Sequence, residues 1–532
     1  MLIEISGNKW YTINNNSAAG HKKEEFMQKF AKLLGYDPVE KQTSVKTELI
    51  AGVVTFLAMA YILTVNPNQI FGPGSPYWAS AFIATALGAV IGTLLMAFVA
   101  KMPLAQASGM GLNSMLGGII GGWGGYGAAF TPGQAFFMVL ISGFIFMALS
   151  LIKIKGKTFR ELVFDGMPIS VRSAISVGIG LFIAYIGFQN AGIIVTNAYT
   201  QVGFVDLTVW DNTQVINVGN GLPMVAATKT ALVAIIGLFI IAILDKLKVK
   251  GSIILGIIGA TIVGIPFGVT DLSVLKGEGS ISWKFWESFG NFFAGGSEES
   301  VFGSFTTVFT DGLLPEGVSV FTVIMIVITM CMIDMFDTMG TIVGCCGGNR
   351  ILSDENDKPK NYGKIMICDS VATCTGAVVG TSTVTTFVES GAGVSAGGRT
   401  GMTAFTTACL FFLSMFMMPL FAVIPGAATA AALIYVGVLM MKNNIKSVDF
   451  SSAIYATSAF LTIAVMVLSY SITKGIGVGM ISYTIMTAIT YLVELIMASV
   501  KKTEKPKWNV SVVTIVVAVL FCIYFFVPAT LF

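Results

Sequence analysis

The sequence predicts an all-α polytopic membrane protein of fourteen transmembrane segments, arranged as an inverted repeat of seven and seven. Three observations predict it: the composition, the spacing of apolar runs, and the placing of Lys and Arg between them. Of 532 residues, 55% are hydrophobic and 11% charged, where a soluble domain carries about 25% charged residues. A mean hydropathy of +0.82 does not belong to a chain whose surface faces water. The net charge of +3 argues against a nucleic-acid partner, so the lipid bilayer is the expected surrounding. A hydrocarbon core about 30 Å thick takes roughly 20 apolar residues of helix. The chain supplies such runs, some short, at 47–65, 78–100, 103–121, 133–152, 172–194, 223–244 and 250–268, then at 318–344, 364–380, 386–397, 402–424, 427–441, 452–470 and 475–499.

The elements divide the chain in order. Residues 1–45 are a polar, cytoplasmic N-terminal segment without the pattern of a cleavable signal peptide, ending in the amphipathic stretch KKEEFMQKFAKLL. Residues 46–270 form the first seven-span repeat, 271–317 an extracellular loop, and 318–500 the second repeat. Residues 501–532 hold a basic linker and an extra apolar run, 509–531, which has no place in the fourteen-span plan.

Lys and Arg set the orientation, because they accumulate in short cytoplasmic loops. With the N-terminus and Lys22, Lys23, Lys29 and Lys32 inside, alternating spans put Lys101, the KIKGK segment with Arg160, and the DKLKVK loop inside. Arg350, Lys358, Lys360, Lys364, Arg399, Lys442, Lys446 and the Lys501–Lys502 pair follow. Outside, no Lys or Arg lies between 196 and 222, and only Lys276 and Lys284 lie between 269 and 317. The protein is therefore expected in the cell membrane.

Two stretches at corresponding places in the halves are interrupted by small residues, AQASGMGLNS at 105–114 and AVVGTSTVTTFVESGAGVSAGG at 377–398. Seven spans per half turn the second half over. Paired interruptions of this kind point to a transporter site, since non-helical backbone at membrane depth must be satisfied by protein, water or ligand. Close helix packing is the other use of such glycines.

The seven cysteines contain no CxxC pair, so neither a structural zinc site nor any other metal or cofactor is expected. The one histidine, His21, precedes the first span, which leaves proton chemistry within the membrane to carboxylates. Carboxylates at bilayer depth are costly and default to function. Asp334 and Asp337 lie one turn apart in CMIDMFDTMGT, Asp369 lies in IMICDSVAT, and Glu389 in TTFVESGAG. Glu48 and Glu494 sit near span ends, where an interfacial role is expected. The alternative for Asp334 and Asp337 is a structural network through Thr338 and Thr341, and for Asp369 a bonding role within the core. The TST and TT residues beside Glu389 favour extended backbone, aiming a carboxylate and free N–H groups at one point. Such a site suits a small neutral or cationic solute with coupled ion movement and repels an anion. The residues alone reach no further.

Four motifs carry a family resemblance: TELIAGVVTFLAMAYILTVNP, ASGMGLNSM, DMFDTMGTIVG and GTSTVTTFVESGAGVSAGGRTG. Together they resemble the AzgA-like purine permeases of the nucleobase/cation symporter-2 family, over about residues 45 to 500. The resemblance implies a core domain of spans 1–4 and 8–11, a gate domain of spans 5–7 and 12–14, and short extended breaks in spans 3 and 10 facing each other. It implies import of hypoxanthine, guanine or adenine, with H⁺ ahead of Na⁺ as the coupling ion, and leaves a homodimer open. Carried over residue by residue, Asp337 (three before Gly340), Glu389, Ser390, Gly111 and Asn113 bind the substrate. Asp334, Thr341 and Asp369 support the site or the coupled proton. Some relatives have a histidine where Thr341 stands, so a histidine-based coupling scheme does not transfer.

Other readings compete with this one. A xanthine or uracil carrier fits the fold but not the DMFDTMGT and TTFVESGAG strings. An anion transporter of related fold meets two acidic residues where the anion would sit. An intramembrane enzyme lacks HExxH and GxxxxGK[ST] motifs. A passive channel differs from a carrier in failing to concentrate its solute.

Overall fold

A computed structural model describes residue 29 and residues 31–526, excepting 73, 123–129, 155–156, 159–168, 198–200, 211–214, 217–224, 250, 277–280, 282, 295–299, 316–317, 347–348, 354–358, 502–503, 505, 507 and 509. His21, most of the N-terminal amphipathic stretch, Arg160, Lys358 and Lys502 lie outside the described residues. In chain order the principal elements begin with α1 (Val45–Met59), α2 (Ile62–Phe71), α3 (Trp78–Leu95), β1 (Gln106–Ser108), α4 (Met110–Ile120) and α5 (Pro132–Leu151). There follow α6 (Ile169–Asn190), α7 (Ala227–Lys246), α8 (Ser252–Gly264), α9 (Phe285–Ala294), α10 (Val301–Asp311), α11 (Val320–Cys346) and α12 (Tyr362–Val379). The chain ends with β2 (Val384–Thr386), α13 (Ser390–Ser395), α14 (Gly401–Ser414), α15 (Gly426–Asn444), α16 (Ala453–Leu468), α17 (Ile472–Lys501) and α18 (Val512–Phe526). Among the described residues nine helices are long and apolar enough to cross a bilayer, and the chain is a predominantly helical, multi-pass membrane protein.

The helices pack in two groups that each draw on both halves of the chain. In the first, α14 lies on α1 and α3, and α12 lies on α3 and α5. In the second, α15 lies along α6 and α7, α16 against α6 and α17, and α7 against α8. Small residues permit the closest crossings. At α6 and α15, a Cβ added to Gly437 would collide with the carbonyl oxygen of Gly180.

The two strands sit inside the first group, within the interrupted stretches. They pair antiparallel, Gln106 opposite Thr386, Ala107 opposite Thr385 and Ser108 opposite Val384. Bonds from Gly109 N to Thr383 O (2.9 Å) and from Phe387 N to Ala105 O (3.0 Å) extend the ladder. Glycines make the groove that receives them. A Cβ on Gly92 would lie 2.8 Å from Val384 Cγ1, and one on Gly376 2.6 Å from Val384 Cγ2.

Four features correct or add to the sequence reading. The region 271–317, read as a loop, contains two helices, α9 and α10. In α9, Phe285, Ser288 and Phe292 are buried and Phe289 half-buried, an i, i+3, i+4, i+7 stripe; Phe285 meets Phe416 at 4.2 Å between ring centroids. Glu48, expected at an interface, is fully buried. Finally, α18 runs antiparallel to α17: Trp508 stacks edge-on against Tyr491 at 5.0 Å, while Phe521 and Phe525 close over Gly477. A small hairpin, Ile194–Asn197 with Gln201–Phe204, adds strand to the helical class.

The glycine groove makes a direct prediction. Gly376→Val places methyl groups where Val384 already packs, and overpacking costs about 1–3 kcal/mol. The purified variant should melt at a lower temperature than the parent; an unchanged melting temperature would show that the groove tolerates a side chain.

Candidate functional site

A cavity opens beside the ends of the two strands. One wall is the β1–α4 junction at Gly109, Met110 and Gly111, and a second is the β2–α13 junction from Thr386 to Glu389. Asp337 and Thr341 of α11 form a third, and Ile179 and Ile183 of α6 with Met440 of α15 close it from the second helix group. Its volume is about 20 Å³, room for about one water molecule. The first turn of α4 contributes amides with no intrahelical acceptor, so the site combines backbone donors, two carboxylates and apolar surfaces.

The structure sorts the residues singled out from the sequence. Asp337, Thr341, Gly111 and Glu389 border the cavity. Glu389 is 6% exposed; its Oε1 accepts a hydrogen bond from the Tyr61 hydroxyl at 2.5 Å. Its Oε2 has no partner among the described residues. Gly111 is small for a reason: a Cβ there would lie 3.2 Å from Ile472 and 3.5 Å from Ile179, in the space between the two groups.

Four others are not in the cavity lining. Asn113 is fully buried, and its Oδ1 accepts a hydrogen bond from Ser382. The Ser390 hydroxyl accepts from Ala105 N at 3.0 Å, tying α13 to the start of the ladder. Asp334 accepts from Thr373 Oγ1 at 2.8 Å. Asp369 is a junction: Oδ1 accepts from Gln106 Nε2 at 2.8 Å and Oδ2 from Thr338 Oγ1 at 2.7 Å. Thr338 in turn shares a 2.5 Å hydrogen bond with Thr385. One buried carboxylate thereby joins β1, α11 and α12, and through Thr385 reaches β2.

Sequence reasoning missed the purpose of the first span. Glu48 Oε1 accepts from Arg399 N at 2.9 Å, and Oε2 from Thr403 Oγ1 at 2.5 Å and Thr400 N at 3.3 Å. It satisfies amides at the N-terminus of α14, where a carboxylate also complements the helix dipole. Asn66 Nδ2 donates to Thr85 Oγ1 at 2.6 Å and Thr381 Oγ1 at 2.8 Å. With Tyr61, these are polar residues of the motif TELIAGVVTFLAMAYILTVNP, and each bonds to the second half of the chain. Their presence in an apolar run was the available signal.

Helices of this length, packed around broken elements and a largely apolar cavity bordered by two carboxylates, define a multi-pass membrane protein of transporter architecture. The chain belongs to the Permease family (Xan_ur_permease), whose sequence profile matches residues 46–478. It is 34% identical over 492 residues to the guanine/hypoxanthine permease PbuO of Bacillus subtilis (strain 168), covering 92% of this chain and 99% of that one. To the adenine permease AdeP of Escherichia coli (strain K12) it is 33% identical over 450 residues, 84% of this chain and 88% of that one. The transmembrane domain of a cyanobacterium bicarbonate transporter, BicA, shares the fold with a TM-score of 0.51 at 16% identity, over 81% of this chain and 97% of that one. The chain is thus a permease and not an enzyme.

The Asp369 junction is testable. Gln106→Ala removes a donor from a buried carboxylate, and leaving such a group short of partners costs about 1–3 kcal/mol. The purified variant should show a clearly lower melting temperature; no change would mean that the Gln106 bond contributes nothing to the junction.

Proposed function

We propose that this permease imports purine nucleobases, hypoxanthine, guanine or adenine, by proton symport with alternating access. The observation that carries the reading is that Asp337 and Glu389 border one cavity together with the first turn of α4 and the apolar side chains of α6 and α15. A purine is flat and uncharged, with N–H donors and ring-nitrogen or carbonyl acceptors on its edge. The carboxylates accept from its N–H groups, the α4 amides donate to its acceptors, and Ile179, Ile183 and Met440 cover its apolar faces. A few placed polar groups within an apolar lining are the usual form of a small-molecule site. Two acidic groups repel an anion, so the likeness to a bicarbonate transporter extends to fold alone. The guanine/hypoxanthine and adenine permeases named above support the same substrate class.

In this reading Asp337 and Glu389 are the substrate ligands, and Gly111 supplies close approach of the backbone. Asn113 and Ser390 brace the two strands, as Asp334 and Asp369 brace α11 and α12 against them, and Thr341 lines the site beside Asp337. The coupled proton rides on one of Asp334, Asp337 or Glu389, since no histidine lies in the spans.

The same reading gives fourteen spans in two inverted sevens, 46–270 and 318–500, with 271–317 outside and residues 1–45 in the cytoplasm at the cell membrane. The first helix group is the core domain of spans 1–4 and 8–11, and the second is the gate of spans 5–7 and 12–14. Antiparallel pairing of β1 with β2 supports the inversion, because matching breaks in oppositely inserted repeats run in opposite directions. The 501–532 tail adds a further crossing, α18, returning along α17. A cavity of about 20 Å³ is smaller than a bicyclic base, so loading requires α6 and α15 to move away from the strand ends.

Three outcomes are expected. Glu389→Ala and Asp337→Ala should each weaken hypoxanthine binding about tenfold to a hundredfold by calorimetry, the loss of one hydrogen bond to a charged group. Glu389→Gln, which keeps an acceptor but cannot titrate, should bind yet fail to accumulate substrate, and an uncoupler should collapse accumulation by the parent. Binding within about threefold of the parent in both alanine variants, or uptake driven by Na⁺ alone, would overturn the respective claims. For topology, a single cysteine at Ser447 in a cysteine-free background should react with an impermeant maleimide only after the cells are opened; labelling of intact cells would sink the span count.

A further inference from the structure

The first span does not line the cavity, yet its Tyr61 holds one of the two carboxylates that border it, Glu389, in place. The geometry points to Tyr61 as a positioning residue for transport: its hydroxyl holds one oxygen of Glu389 so that the other faces the substrate. This inference rests on Glu389 being a substrate ligand.

Local sequence places Tyr61 there. Pro67 cannot donate to the Leu63 carbonyl, and proline in a helix interior disturbs the turn before it. In the turn ahead, Leu63 and Thr64 donate to Ala60 and Tyr61, three residues back, at 3.2 and 3.1 Å. Helix α1 ends at Met59 and α2 begins at Ile62, with Tyr61 at the join and fully buried. Its hydroxyl reaches Glu389 Oε1 at 2.5 Å and passes 3.6 Å from Met110 Sδ, on the cavity wall. Asn66 grips Thr381 on the other side of β2, so Tyr61 and Asn66 bracket that strand from both ends.

The consequence lies in the two carboxylate oxygens. A carboxylate on an unrestrained side chain rotates, and ordering it on binding costs about 0.5–1.5 kcal/mol. A phenol donor fixed by burial removes that freedom beforehand and occupies one oxygen. Oε2, without a partner among the described residues, is then the free acceptor at a wall of the cavity. A phenylalanine would fill the same space and leave Glu389 unheld.

The test is a double-mutant cycle, read by calorimetry with hypoxanthine on purified full-length protein, with melting temperatures checked in parallel. Tyr61→Phe should weaken binding about tenfold in the parent. In the Glu389→Gln background, where the held group is no longer an anion, the same change should cost markedly less, since residues acting through one bond are not additive. An equal loss in both backgrounds, or no loss in the parent, overturns the positioning role. Tyr61→Leu serves in the same cycle if the phenylalanine variant is not recovered. Normal binding by Glu389→Ala would instead remove Glu389 from the substrate site, so the two failures are distinguishable.

Discussion

Unpaired backbone cannot be left in the middle of a membrane, and most of this structure follows from how that constraint is met. Residues 105–109 and 383–387 leave helical conformation inside the first helix group and satisfy each other through the β1–β2 ladder. Everything around the ladder serves its enclosure. Glycines on α3 and α12 open the groove for Val384, and Asp369 ties Gln106 of β1 to α11. Ser390 and Asn113 close the bonds at the two strand–helix junctions. Because the strands come from the two halves of the chain, the first helix group cannot form until both halves are present.

Hydrogen-bond satisfaction separates the buried carboxylates by use. Asp369 receives donors at both oxygens from side chains that are themselves buried, and Glu48 receives two backbone amides and a hydroxyl. Groups so fully paired stabilise the fold and have little capacity left for a ligand. Glu389, which borders the cavity, is different: one oxygen is held by Tyr61, and the other is buried with no partner among the described residues. A buried acceptor kept partly unpaired costs stability, which the fold tolerates only where something else completes it.

Much of this was legible in the sequence where a single stretch contains the cause. Apolar runs gave the helices, small residues the two interruptions, and isolated acids in apolar runs the residues now found at the cavity or beneath the strands. What was not legible depends on partners distant along the chain. Tyr61 and Glu389 are 328 positions apart, and Glu48 meets Thr403 across 355; neither tyrosine in an apolar run nor a glutamate at its start declares such a bond. Proximity to a span end made Glu48 look interfacial, whereas the amides of α14 bury it. The stripe in FWESFGNFFA was readable as an amphipathic helix, but its Glu, Asn and Gly residues also fit a loop, and packing against Phe416 settles it. Asn113 and Ser390 stood within motifs that also contribute to the cavity wall, yet motif membership does not say whether a polar atom points at a ligand or at a neighbouring protein group.

The walls of the cavity differ in kind, and that difference bears on how it opens. The bonds that fix the polar wall, Glu389 to Tyr61, Asp369 to Gln106, Ser390 to Ala105 and Asn113 to Ser382, all join elements of the first helix group. The facing wall offers Ile179, Ile183 and Met440. Hydrogen bonds are directional and fail when their partners slide; dispersion contacts between aliphatic side chains are individually small and insensitive to direction. Separation at this surface, as the proposed import requires, leaves those four bonds in place. Close packing of Gly180 against Gly437 holds α6 and α15 to each other. In the proposed cycle the polar wall keeps its geometry while the apolar face moves.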